Sequence, residues 1–289
     1  MFSLKEFYQK YPQRTMKLSI GKLFTYRYYK NSNAKATIVL LTGGIGLSDL
    51  FYLHFDRFAK DFSVLTFDYQ MQFKNNSEFA KAVAELLQKL NEKVWLIGQS
   101  LGGIVAQIIA MNYPENVDGL VLSNTCSLAE NMGEDAYLHT INMIKSSQKS
   151  KKMLSVVPFF LYKRLMKWAV MKKKTDGFTE QEKLLMENLC DAMLQLLTKP
   201  YEYHMLDFLI DAQNHFGMKT NDFQLWNDRV LLILSEDDNT FNQACKDALI
   251  KIMPNPTVVT NITGGHLALL VKLDKYADTV SNYILQRVK

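Results

Sequence analysis

Gly98-Gln99-Ser100-Leu101-Gly102 lies between two apolar runs, Val94-Trp95-Leu96-Ile97 before it and Ile104-Val105-Ala106-Gln107-Ile108-Ile109-Ala110 after it. The first run has the length of a buried strand and the second that of a helix, so the pentapeptide reads as a sharp strand-turn-helix corner. Such a corner has no room for Cβ atoms two residues before and two after the serine, and glycine stands at both places. The serine must then hold an unfavourable backbone conformation, a strain often stored at functional sites. The plainer role for Ser100 is a helix N-cap.

The same rhythm runs through the flanking sequence. Residues 20–29 form an aromatic-rich strand region, and residues 36–42 a buried strand ending in Gly43-Gly44-Ile45-Gly46. A helix over 49–60, a strand over 63–68 and a helix over 77–90 follow, the last with Phe79, Val83, Leu86, Leu87 and Leu90 on one stripe. A further strand spans 117–123. Alternation of this kind predicts an α/β fold with a mostly parallel sheet covered on both faces. It stops over 127–227, which shows no strand pattern and holds nine of the fourteen methionines. It resumes with a strand at 229–235, a helix over 240–252, a strand at 257–262 and a closing helix over 267–287. The expected organisation is a core in two parts, 1–126 and 228–289, interrupted by a helical insertion, 127–227.

The bulk numbers exclude several function classes. With 289 residues and 48% hydrophobic content the chain can fill a sizeable core. A net charge of +5, from 34 Lys+Arg against 29 Asp+Glu, is too small to indicate nucleic-acid binding. The N-terminus has no basic region leading into an apolar core, no run approaches membrane-spanning length, and Cys126, Cys190 and Cys245 are too few and too scattered for a disulfide framework or a metal site. The expectation is a cytoplasmic protein without a metal. Gly43-Gly44-Ile45-Gly46 is too short for a dinucleotide fingerprint and lacks a Walker lysine, so no cofactor is expected.

A serine hydroxyl needs a base to become a nucleophile, and the base needs an orienting carboxylate. The ends of later parallel strands are the places to look. The strand at 229–235 runs into Ser235-Glu236-Asp237-Asp238, and the last one into Thr263-Gly264-Gly265-His266. Of the five histidines only His266 follows a Gly-Gly pair at a strand end. His54, His139, His204 and His215 fall in helical segments, where core or surface roles are expected.

The order Ser100, aspartate, His266 resembles the α/β-hydrolase superfamily over nearly the whole chain, with the maspardin-like branch similar in its compact segment, here Asp68-Tyr69-Gln70-Met71-Gln72-Phe73. The resemblance implies a helical cap inserted at 127–227 and a Ser100–Asp238–His266 triad. In the family the acid closes a G-x-x-D stretch; Ser235 replaces that glycine and points to Asp238 over Asp237. It also implies an oxyanion hole from the N–H of Leu101 and that of Gly44, with Ile45 the neighbouring alternative. Thr42 and Ile45 stand where histidine and proline are commoner. Serine at the elbow, where dehalogenases carry aspartate, argues against dehalogenation.

The function this implies is an esterase- or lipase-like serine hydrolase acting on a small-to-medium carboxylic ester through an acyl-enzyme. The alternatives are C–C bond or amide hydrolysis of the proline-iminopeptidase type, and a non-catalytic binding or scaffold protein. Met132, Met143, Met153, Phe159, Phe160, Trp168, Met171, Met186 and Met193 either line an apolar pocket or form the cap's own core. Lys163, Arg164, Lys167 and Lys172-Lys173-Lys174 surround Phe159, Phe160, Leu161 and Trp168. A solvated lid face is the favoured reading of that segment, and contact with an anionic membrane surface the other.

Overall fold

The computed structural model describes residues 2–173 and 177–288; Lys174 of the basic segment, and the side chain of Lys173, lie outside what is described. Its apolar runs become β1 (Gln13–Lys17), β2 (Leu23–Tyr29), β3 (Thr37–Leu41), β4 (Ser63–Thr66), β5 (Val94–Gln99), β6 (Val117–Ser123), β7 (Val230–Ile233) and β8 (Thr257–Val259). They form one sheet in the order β1-β2-β4-β3-β5-β6-β7-β8. The β1–β2 and β2–β4 pairings are antiparallel and all the others parallel. This is the α/β architecture expected from the sequence.

Both faces of the central strands are buried, which is why their sequences show runs rather than alternation. The alternation appears instead in which core each residue enters. Val39, Leu41, Leu96, Leu120 and Leu122 face one core, and Ile38, Leu40, Trp95, Ile97 and Val121 the other. The second core is packed by α1 (Leu4–Lys10) and α2 (Tyr52–Phe58). The first is packed by α3 (Asn76–Leu90), which buries Phe79, Val83, Leu86 and Leu87, and by α4 (Leu101–Asn112).

From β3 the chain steps to β4 on one side, then crosses over to β5 on the other. Strand order therefore reverses between β3 and β5. Loops leaving their carboxyl ends part there and open a crevice, the usual ligand position in such sheets. Residues 42–46 and Ser100 are those loops.

Between β6 and β7 the chain builds α5 (Glu134–Val156), α6 (Phe159–Lys173), α7 (Glu180–Leu196) and α8 (Lys199–Asp211). Where the segment leaves and rejoins the sheet, Ala129 and Met218 pair in a parallel bridge. A small core of Leu154, Tyr162 and Leu206 holds α5, α6 and α8 together, and the Tyr162 hydroxyl donates to Glu202 at 2.7 Å. Among the described residues no helix is long and apolar enough to cross a membrane.

The chain closes with α9 (Gln243–Ile252), β8, α10 (Ala268–Val271) and α11 (Leu273–Leu285). Some boundaries differ from the sequence reading. β1 has no apolar signal because it is an edge strand with four of its five residues exposed. The closing helix is two pieces, broken at Lys272 (φ −106°, ψ 41°).

His54 of α2 is fully buried between the rings of Phe51 and Tyr276. Its Nε2 lies 3.1 Å from the Leu269 carbonyl, which can only accept, so Nε2 carries the proton. Nδ1 then has no partner among the described residues. Burial pushes the imidazole pKa down to about 4. The unfolded chain binds this proton near pH 6.5 and the folded one near 4, so stability is full above 6.5 and is lost as pH falls through 4. Urea titrations between pH 7 and pH 3.5 should show a loss of about 2–3 kcal/mol that is missing from His54→Gln. A parallel loss in both proteins would exclude His54 as its source.

Candidate active site

The corner at Ser100 is set by backbone pressed on backbone. A Cβ on Gly98 would lie 2.3 Å from the Gly102 carbonyl oxygen, and one on Gly102 would lie 2.2 Å from that of Leu41. With no side chain to separate them, α4 starts directly against β5 and β3. Ser100 takes the strain at φ 54° and ψ −120°, far from the usual regions for a non-glycine residue. Its N–H donates to the Ser123 carbonyl at 3.1 Å, and its carbonyl accepts from the Thr125 hydroxyl at 2.6 Å. Ser100 does not cap α4 through its side chain.

The loop after β7 brings the acid and the loop after β8 brings the histidine. Asp238, with a wholly buried side chain, lies with Oδ2 3.0 Å from Nδ1 of His266. Its Oδ1 accepts from the Thr240 N–H at 2.7 Å. A carboxylate only accepts, so Nδ1 of His266 is protonated and Nε2 carries the lone pair. Asp237 has a different place: it is exposed, and its Oδ2 accepts from the Gly264 N–H at 2.8 Å, tying the two loops together.

The lone pair of His266 is met by Gln99. The Gln99 amide nitrogen sits 3.2 Å from Nε2 and donates also to the His266 carbonyl at 3.3 Å. The Ser100 hydroxyl has no hydrogen-bond partner among the described residues. The structure thus brings Asp238 and His266 into contact, and joins His266 to the elbow through Gln99.

Neither the Gly44 nor the Leu101 N–H makes a hydrogen bond among the described residues; Leu101 is the first residue of α4, whose N–H has no acceptor within the helix. The loop carrying Gly44 is fixed from outside. Tyr69 donates its hydroxyl to the Thr42 carbonyl at 3.0 Å, and Tyr201 of α8 donates its own to that of Gly46 at 2.8 Å. The Ser48 N–H and hydroxyl both donate to Asp68 at 2.7 Å. The glycine-free segment after β4 is therefore a buttress of this loop.

Beside the site lies an apolar cavity of about 130 Å³. Ile45 and Leu267 form its floor, next to Gly44 and His266, and Met166 and Val170 of α6 with Met186 and Met193 of α7 form its roof. Cys190 also lines it, with burial holding its thiol pKa up at about 11, so the thiol stays protonated.

The profile of the α/β hydrolase fold matches residues 36–273. The chain belongs to the α/β hydrolase fold family. Among curated proteins this hydrolase-fold chain is 26% identical over 148 residues to the protein of Agrobacterium fabrum named putative carbamate hydrolase RutD, covering 47% of this chain and 56% of that protein. It is 28% identical over 126 residues to the mouse 1-acylglycerol-3-phosphate O-acyltransferase ABHD5, covering 39% and 36%. The chain thus spans about half the length of one relative and a third of the other. Solved structures with the same fold include a thermophilic esterase from Thermogutta terrifontis (TM-score 0.72, 13% identity, 96% and 99% coverage). MenH from S. aureus is another (0.71, 18%, 90% and 98%). A third is an enol-lactonase from Burkholderia xenovorans (0.67, 15%, 94% and 100%).

Within this hydrolase fold, sequence reasoning missed Gln99, Asn124 and His139. Of the nine residues it offered for an apolar pocket or for the inserted helices' own core, Met186 and Met193 line the cavity; Phe160 and Trp168 face solvent, and Met132 packs into the sheet's core. His139 of α5 donates to the Thr240 carbonyl at 2.8 Å and so links the inserted helices to the acid loop. Asn124, at φ 40° just past β6, is buried and fully bonded. Its Nδ2 donates to Ser235 Oγ (3.0 Å) and to the Gly265 carbonyl (2.9 Å), and its Oδ1 accepts from the Ser235 N–H (2.8 Å). One side chain thereby clamps the loops that carry Asp238 and His266. Asn124→Ala should cost about 2 kcal/mol by urea unfolding, because it strands the buried Ser235 N–H and the part-buried Gly265 carbonyl. Asn124→Gly, which relieves the backbone, should recover only part; full recovery would mean that strain rather than the clamp is at stake.

Proposed function

We propose that the chain is a hydrolase of small-to-medium carboxylic esters that works through an acyl-enzyme on Ser100. The observation that carries this reading is the strained Ser100 at the β3–β5 switch point, with a buried Asp238–His266 pair on the adjoining loops. In this reading Ser100 attacks the ester carbonyl while Nε2 of His266 accepts its proton. Asp238 fixes the tautomer and supports the imidazolium. The N–H groups of Leu101 and Gly44 receive the oxyanion, aided by the positive end of α4. His266 then protonates the leaving alcohol, and water, deprotonated by the same nitrogen, releases the acid.

The apolar cavity supports an acyl group of modest size. A cavity of roughly 150 Å³ takes a benzene ring, so about 130 Å³, reached past Ile45 and Leu267, suits a short aliphatic acyl chain. Three unpaired cysteines fit the reducing cytoplasm in which we place the enzyme.

One observation favours a second reading. If Gln99 stayed on Nε2, Ser100 would have no base and the fold would serve binding alone. The two readings divide on Ser100 reactivity. A fluorophosphonate should label Ser100, and Ser100→Ala should lose both labelling and at least about 1,000-fold of p-nitrophenyl butyrate turnover. No labelling at any pH, or turnover unchanged in Ser100→Ala, would sink the hydrolase reading. Asp238→Asn should cripple turnover and Asp237→Asn should not.

Gln99→Met keeps the length of the side chain and removes the donor. Labelling of Ser100 should then quicken about fivefold, the worth of one neutral hydrogen bond of about 1 kcal/mol. A rate equal to that of the parent would show that the amide leaves His266 at no cost.

A further inference from the structure

Ten of the 34 cationic residues lie between positions 141 and 174, against none of the 29 acidic ones. The rest of the chain therefore carries 24 cations and 29 acids and is net negative. Up to Lys173 this basic stretch is the larger part of α5 and the whole of α6, and the structure divides their described side chains sharply. On α6, Tyr162, Met166 and Val170 turn inward to the cavity and the small core. Phe160, Arg164, Trp168 and Lys172, four residues apart, form an outward stripe, with Leu161 and Leu165 beside it. Phe160 is 64% exposed, Trp168 54%, and Val156 at the α5–α6 corner 79%.

The cations divide in the same way. Lys167 pairs with Glu187 and Asp191, and Lys151 with Asp207. Lys145, Lys149 and Lys152 on α5 and Arg164 and Lys172 on α6 are exposed, with no acidic partner among the described residues. The Lys172 ammonium rests 5.0 Å from the centre of the Trp168 ring.

We propose that this outer face of α5 and α6 binds the surface of an anionic phospholipid membrane. Clustered large apolar side chains in water are costly, and a contiguous exposed patch marks an interaction site. The composition selects the occupant. Val156, Phe160, Leu161, Leu165 and Trp168 can enter the boundary between headgroups and acyl chains while Lys and Arg extend to lipid phosphates. A nucleic acid would neutralise the cations yet leave the aliphatic side chains in water. Among the described residues no helix is long and apolar enough to cross a bilayer, and the contact proposed is a peripheral one. The same helix that meets the membrane roofs the apolar cavity on its other face, one helix diameter from the lipid. The proposal does not depend on Ser100 chemistry.

Vesicle flotation of the full chain tests it, with phosphatidylcholine alone and with about one-third phosphatidylglycerol. Partitioning should be at least about tenfold stronger on the anionic vesicles, and most of that gain should vanish near 0.5 M salt. Trp95 and Trp226 are buried, so quenching by brominated lipid reports Trp168. Arg164→Glu with Lys172→Glu should weaken binding at least about tenfold, at roughly fivefold per cation removed. Phe160→Ser with Trp168→Ser should also abolish stable binding. All these positions are exposed, and unchanged thermal melts would show that the variants fold. Equal partitioning on both vesicle types, no partitioning, indifference to both variant pairs, or retention on polyanions without vesicle binding would each overturn the proposal.

Discussion

The candidate site depends on a contact in which nothing but backbone takes part. Where α4 begins, the peptide units of Gly98 and Gly102 and the Leu41 carbonyl approach within distances that no Cβ could share. Because the helix cannot stand back from the sheet, the chain must turn within one residue. Ser100 is that residue, and its φ of 54° is the geometric remainder of the packing. The hydrogen bonds at its N–H and carbonyl, to Ser123 and Thr125, hold the strained unit in place. The same closeness aims the start of α4, with its unpaired N–H groups, beneath the serine.

Around this corner the polar groups belong to a rigid frame. Asn124, Asp237 and the buried Lys246, which donates to the Ser235 carbonyl at 2.7 Å, bind the loops after β6, β7 and β8 into one unit. The His266–Asp238 pair moves with that unit. Gln99, by contrast, reaches across from the elbow with a neutral amide. Its bond to His266 joins the two halves of the candidate site by a contact of modest worth.

Much of this was legible in the sequence, for reasons that also explain the gaps. Gly98 and Gly102 are read easily because their steric demand is local. The runs of β3, β5, β6 and β7 are visible because both faces of a parallel sheet are apolar. β1 was invisible because an edge strand in water needs no apolar residues. Asp238 could be separated from Asp237 only by analogy with a loop pattern, since both are single carboxylates at one strand end. Asn124 and Gln99 carry no periodic signal; their roles arise where loops distant in sequence meet, 141 and 167 residues away. Trp168 and Phe160 gave two signals at once: large apolar side chains on a helix suggest a pocket or core, while their basic neighbours suggest a solvated face, and both side chains are exposed.

The bridge between Ala129 and Met218 closes the neck through which the inserted helices leave the sheet. β6 and β7 are neighbours in that sheet, so the insertion begins and ends almost at one point. The outer faces of these helices can therefore change their chemistry without displacing the strands, while their inner faces, with Met205 and Phe208 in the sheet's core and Tyr201 and His139 on the loops of the site, are held in place. Selection on what the outer surface recognises and selection on what the centre does then act on opposite faces of the same helices. Descent can revise the first many times while leaving the second untouched.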